Sequence, residues 1–190
     1  MKSAIAIAAV AGLATVASAQ NVGTVTLTSS AATVASGATF TVGVVVSDNI
    51  SGNSVFAFDV EVSGTGDYTT GAPTAHASVF GFSGASTATG ATGLGGSSDI
   101  LGPDLDPSLD GVTVYTFQVT AGAAGLIDLS AADGGGPNAA MQWGVEGGIV
   151  ILPADYDSIS FGSVRVTVTP APSGVALLGL GGLVAARRRR

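Results

Sequence analysis

ATFTVGVVVS, residues 38–47, is the stretch from which the fold of this chain can be read. Phe40, Val42, Val44 and Val46 fall on one side of an extended strand, with Thr39, Thr41 and Gly43 on the other. Side chains of a strand alternate between two faces, so this pattern predicts one buried and one wetted surface. The same period of two recurs along the chain. In SVFAFDVEV (54–62), Phe56, Phe58, Val60 and Val62 alternate with Ala57, Asp59 and Glu61. In VTVYTFQVT (112–120), Tyr115, Phe117 and Val119 alternate with Thr116 and Gln118, and in SVRVTVT (163–169), Val164, Val166 and Val168 alternate with Arg165 and Thr167. Fainter strand signals are VTLTS near Val25, LIDLS near Ile127, MQWGV near Trp143 and GIVIL near Val150.

Between these runs stand SDNISGNS, GTGDYTTGAP, AGAAG and DGGGPN. Gly supplies positive φ and Asn or Asp bonds back to its own backbone, so these segments predict turns. No amphipathic helix is apparent between residues 20 and 169. Seven to nine short strands with this punctuation predict an all-β, two-sheet antiparallel sandwich. The stretch 82–111, FSGASTATGATGLGGSSDILGPDLDPSLDG, is poor in apolar residues and is expected to be a long, flexible insertion.

VASGATFTVGVVV, the aromatic run VFAFDVEV and the later VTVYTFQVTAGAAGLIDLS together resemble the cohesin-type β-sandwich. The likeness spans much of residues 22–169. It implies a nine-stranded, jelly-roll-like sandwich used for binding, with cohesin-like protein binding as one function.

The chain begins MKSAIAIAAVAGLATVASAQN. Lys2, an apolar centre and Ala17-Ser18-Ala19 before Gln20 have the form of a secretory signal peptide, with cleavage expected between Ala19 and Gln20. Three parts follow: a signal helix at 1–19, a body at 20–169 and a C-terminal segment at 170–190. The chain has no Cys, so the body has no disulfide framework and depends on its apolar core. A body of about 150 residues buries roughly 70% of its unfolded surface, enough for one domain.

The final stretch is TPAPSGVALLGLGGLVAARRRR. Nothing from Gly174 to Ala186 is charged, and thirteen helical residues span about 20 Å, short of the ~30 Å of a hydrocarbon core. Arg187, Arg188, Arg189 and Arg190 can snorkel and are expected on the cytoplasmic side, as a stop behind a short hydrophobic helix. The order of Pro170-Ala171-Pro172-Ser173, apolar run and arginine cluster resembles the PEP-CTERM sorting signal. That resemblance implies a transient membrane anchor, cleavage near the motif by an exosortase-type enzyme, and delivery to the cell surface or extracellular matrix. Ala171 stands where the family usually has Glu, so processing here implies an enzyme that accepts Pro-Ala-Pro.

All thirteen acidic residues lie between Asp48 and Asp157, and Arg165 is the one basic residue from Gln20 to Ala186, giving this body a net charge of −12. Such a surface repels nucleic acid, whose binding needs clustered Lys and Arg. Asp99, Asp104, Asp106 and Asp110 could form an oxygen shell for Ca²⁺. They lack the Gly and distal Glu of an EF-hand loop, and a solvated acidic loop is the simpler expectation.

Trp143, Tyr68 and Tyr156 are the aromatic candidates for stacking on an extracellular polysaccharide, with a core position the alternative for Trp143. Catalysis is not expected. Asp59 and Glu61 could be imagined as a glycosidase pair, but alternate residues on a strand are ordinarily its solvated side. The single His76 has no nucleophile elbow beside it, and neither GLGG lies between a strand and a helix as a nucleotide site requires. The expected function is therefore a structural or adhesive protein of the surface or matrix, with a carbohydrate- or protein-binding module as the alternative.

Overall fold

The computed structural model of the chain describes residues 20–50, 54–77, 79–97, 109–135, 140–146 and 151–171. Residues 1–19, expected to be a signal peptide, Pro172, Ser173, the apolar stretch 174–186, the four terminal arginines, and Asp99, Asp104 and Asp106 lie outside the described residues.

The described chain holds β1 (Val22–Ser29), β2 (Thr33–Ala35), β3 (Thr39–Asp48), β4 (Ser54–Thr65), β5 (Tyr68–Thr70), β6 (Thr74–Ala75) and β7 (Phe80–Thr87). It continues through β8 (Gly90–Ser97), β9 (Val112–Ala121), β10 (Gly125–Asp133), β11 (Met141–Glu146), β12 (Ile151–Asp155), β13 (Ser158–Phe161) and β14 (Ser163–Thr169). One sheet runs β13-β1-β3-β9-β5, with β6 also on β9. The other runs β12-β11-β4-β10-β14-β2, with β8 on β4 and β7 on β8.

The alternating residues of the opening stretch supply the core. Val42, Val44 and Val46 on β3 are fully buried, and they face Val60, Val62, Leu129 and Val166 of the opposite sheet across a single hydrophobic layer. Each such side chain contributes roughly 1.5–3 kcal/mol relative to exposure, which lets a chain without disulfides hold two sheets together. The sandwich is closed along one side where the chain changes sheets. β13 pairs parallel with β1, β14 pairs with β10, and Gly162 between them donates to Val25 O at 2.7 Å and accepts from Ala131 N at 3.0 Å.

Strict alternation fails at bulges on β9 and β4. On β9 the register against β3 shifts between Val44 and Val45, so Val114 and Tyr115 are consecutive and both buried. On β4 the partners of Gln142 and Trp143 are Ala57 and Val55, which leaves Phe56 as the extra residue. Val55 is therefore buried and Phe56, expected on the core face, is only half-buried. A bulge sets two residues against one and resets the phase of every side chain beyond it.

The expectation of a flexible insertion over 82–111 is corrected in its first half. Residues 80–97 form the hairpin β7–β8, laid against β4 through pairs such as Val60↔Leu94 and Val62↔Ala91. Its apolar content is low because only Ala91 and Leu94 of β8 need to enter the core, and both are buried. Their spacing of three follows from an extra residue, with Gly93 at φ +62° taking the left-handed conformation that a bulge of this kind requires. Besides this ladder, hydroxyls of the other sheet fasten it: Tyr68 donates to Thr89 O at 2.7 Å, and Thr70 Oγ1 lies 2.9 Å from Gly90 O.

Candidate functional site

The sandwich presents two broad outer faces of contrasting chemistry. On the β4 sheet, outward positions carry Asp59, Glu61, Asp128 and Arg165 among serines and threonines. Arg165 Nε bonds Asp128 Oδ1 at 2.6 Å across β10 and β14, which raises the guanidinium further above its ordinary value. The pair is largely exposed, so it shapes the surface charge more than the stability. Leu126, half exposed, is the apolar point on this face.

Among the described residues, the outer face of the β3 sheet carries no charged side chain. Cross-strand register brings Ser160, Thr24 and Ser47 into one row, and Thr26, Val45 and Thr113 into the next. A third row holds Thr28, Gly43, Thr116 and Thr74. Beyond it Thr41 stands beside Gln118, and Thr39, Thr120 and Thr69 complete the surface. The hydroxyls bond to one another: Thr39 and Thr120 at 2.9 Å, Gln118 Nε2 to Thr41 Oγ1 at 2.9 Å, Ser160 to Thr24 at 3.3 Å. Asp48, at the end of β3, does not join this face. Its carboxylate accepts from the Tyr156 hydroxyl at 2.7 Å and from Ile50 N at 3.0 Å.

The aromatic residues expected to bind sugar are placed otherwise. Tyr68 and Tyr156 are each 8% exposed, so neither offers a ring face to a ligand. Burial raises the pKa of both. For Tyr156, the hydrogen bond to Asp48 and the negative charges of Asp48 and Asp110 push the same way. Trp143 is partly buried against the core and donates from Nε1 to Asp155 O at 3.3 Å. These rings are large apolar bodies with a polar tip, and the core takes the body while a nearby oxygen takes the tip.

Asp59 and Glu61 lie next but one on β4, which sets them side by side on an open sheet rather than opposed around a bond. His76 is exposed in the turn after β6, where its amide donates to Val114 O at 2.8 Å. Of the four aspartates considered for Ca²⁺, Asp110 is described, and its Oδ1 accepts from Asp48 N at 3.0 Å. Among the described residues no group of three or more His, Cys, Asp or Glu could hold a metal ion.

Gln20 is exposed, and its carbonyl accepts from Asn49 Nδ2 at 2.9 Å. Asn21 N donates to Asp157 Oδ2 at 2.8 Å, so the start of the body is tied to the same end of the sandwich as Tyr156. Pro170 and Ala171 are exposed and leave the sheet directly after β14. Among the described residues no helix is long and apolar enough to cross a membrane.

The threonine face was not singled out from the sequence as a site. Its signal was the polar half of the alternation itself, in which β1, β3 and β9 repeatedly place Thr at the wetted position.

No protein-family model matches the chain, and no curated protein matches it in sequence. Solved structures do match in fold. A cohesin module from a family 33 glycoside hydrolase of Clostridium perfringens superposes with a TM-score of 0.52 at 11% identity, covering 80% of this chain and 98% of that module. The seventh ScaB type I cohesin of Pseudobacteroides cellulosolvens gives a TM-score of 0.52 at 12% identity, covering 81% and 96%. The body is thus a two-sheet β-sandwich of cohesin-like fold.

Proposed function

We propose that the chain is a non-catalytic structural or adhesive module, exported and delivered to the cell surface or the extracellular polymer matrix. The observation that carries this reading is the extent of the fold. The described strands between Val22 and Thr169 build one cohesin-like sandwich, and cohesin modules are matched over nearly their whole length. The leader-like residues 1–19 support export. The Pro170–Ser173 motif, apolar run and Arg187–Arg190 support a transient membrane hold followed by release through an exosortase-type enzyme. The side-by-side placement of Asp59 and Glu61 supports a non-catalytic role, and no cofactor enters the reading.

The deciding experiment is the intact mass and C-terminal peptide of the protein recovered from its native host. A chain starting at Gln20 and ending near residues 170–173 in the outer fraction is the expected result. A chain ending at Arg190 and held in membranes would make the tail a plain anchor. A cytoplasmic chain retaining residues 1–19 would overturn the reading.

A second reading, a protein-binding module of the cohesin kind, is favoured by the fold likeness itself. It predicts that retention in the matrix is lost when matrix proteins are digested and survives digestion of the glycans.

A further inference from the structure

We infer that the outer face of the β3 sheet is a contact surface for a neutral polysaccharide. This rests on the matrix location proposed above and adds to it a face and a ligand class.

The inference begins from an asymmetry. Strand propensity alone would place Thr on both outer faces, since β-branched residues suit strands generally. Yet outward positions of β4, β10 and β14 carry Asp59, Glu61, Asp128 and Arg165, whereas those of β1, β3 and β9 are predominantly Thr and carry no charge. In a body of net charge −12, a soluble surface is ordinarily built with charges on every side. The neutral face departs from that rule across the six strands of its sheet.

Its geometry suits repeated hydroxyl contacts. Neighbouring strands stand about 4.8 Å apart, and outward residues of one strand recur about every 6.8 Å, so the rows form a lattice of donors and acceptors. Thr is stiff at χ1, and the bonds Thr39–Thr120 and Gln118–Thr41 restrain the lattice further. Little side-chain freedom is then lost when a ligand settles on it. Each hydroxyl keeps unused capacity, because it can donate once and accept twice.

Charge selects the occupant. An anionic polymer is repelled by the body, and a cationic one is drawn to the carboxylates of the opposite face. A neutral polyhydroxyl chain meets neither bias and finds its densest partners on the threonine face. With Tyr68 and Tyr156 buried, binding there proceeds by hydrogen bonds and methyl contacts rather than ring stacking.

The test uses the full chain with regenerated amorphous cellulose and soluble dextran as neutral probes and alginate as the anionic one. Expected is binding to a neutral probe that is unchanged between about 0.05 and 0.5 M salt, with none to alginate. The pair Thr26→Lys and Thr120→Lys should weaken it roughly tenfold, while Ser63→Lys and Thr167→Lys on the other face leave it unaltered. Should the lysines upset folding, Thr26→Ala with Thr120→Ala gives the same readout on a smaller change. Binding to neither neutral probe, or equal losses from both faces, overturns the inference. Neither result touches the location reading, which fractionation of the native host decides separately.

Discussion

The hydroxyl of Tyr115, on β9, lies 2.7 Å from the carbonyl oxygen of Ser83 on β7, so a side chain rooted in one sheet reaches the outer hairpin of the other. The same hydroxyl is 2.7 Å from Gly95 O on β8, directly across the ladder from Ser83. One hydroxyl proton serves two carbonyls, and the ring above it packs edge-on against Phe58 at 5.9 Å. This contact, with those from Tyr68 and Thr70, is why an apolar-poor, glycine-rich segment belongs to the sandwich.

Tyr115→Phe keeps the ring and removes the bond, leaving two part-buried carbonyls short of a donor. The expected loss is about 1–3 kcal/mol of stability, read from urea denaturation. Amide exchange across residues 83–97 should accelerate more than exchange in β3. Uniform acceleration through both sheets would show that the hydroxyl does not fasten the hairpin in particular.

The chain has three tyrosines, and burial raises the pKa of each: Tyr115 to about 12, Tyr156 furthest, and Tyr68 in the same direction. A phenol whose folded pKa lies above the unfolded value near 10 binds its proton more tightly in the folded state. Its stabilising contribution is complete below about pH 10 and is lost as pH rises through the folded pKa. The native protein should therefore show clearly less tyrosinate absorbance at pH 10–10.5 than three free tyrosines, which are half or more ionised there. Stability should fall from about pH 10 upward, with Tyr115 contributing up to about 3 kcal/mol of the loss by pH 12. A tyrosinate step near pH 10 with the fold intact would contradict the burial of these hydroxyls.

Alternation made β3, the main part of β4, β9 and β14 legible, because their inner residues are large and their outer ones polar. Phe56 was misplaced since a bulge leaves no mark in hydrophobic period. The hairpin β7–β8 was missed for a different reason. Its stability comes from backbone ladders and from hydroxyls of Tyr68, Thr70 and Tyr115, partners remote in sequence. The short strands β2, β5, β6 and β13 have two to four residues each, too few to carry a period. At the level of sites, Tyr68 and Tyr156 looked available because an aromatic residue in a polar stretch reads as exposed. Their partners, Thr89 O and Asp48, are visible only in three dimensions.

Gly90 opens β8 at φ +155°, and a Cβ there would collide with the carbonyl oxygen of Val62 on the neighbouring strand. The obstacle is backbone, so the hairpin itself must shift. Gly90→Ala is expected to cost about 3 kcal/mol or more, well above a surface substitution. Gly135→Ala is the comparison: it also has positive φ, but nothing lies within 4 Å of the added carbon. It should lose only the smaller backbone strain, about 1 kcal/mol. Equal melting temperatures for the two variants would mean that β8 does not approach β4 as closely as described.

Tyr156 and Asp48 join the two chain segments that close one end of the core, 108 positions apart in sequence. A phenol donating to a carboxylate in a partly buried setting is worth about 1.5–3 kcal/mol, more than a neutral pair. Asp48 has a second duty, accepting from Ile50 N, so Asp48→Asn disturbs more than the bond to Tyr156. A double-mutant cycle separates the two. Tyr156→Phe and Asp48→Asn should each destabilise, with Asp48→Asn the larger effect. Together they should cost about 1 kcal/mol or more less than the sum of the single losses. Strict additivity in urea denaturation would show that the two residues do not act through one bond, and that this end is held by its other contacts, such as Asn21 N to Asp157 and Asp48 N to Asp110.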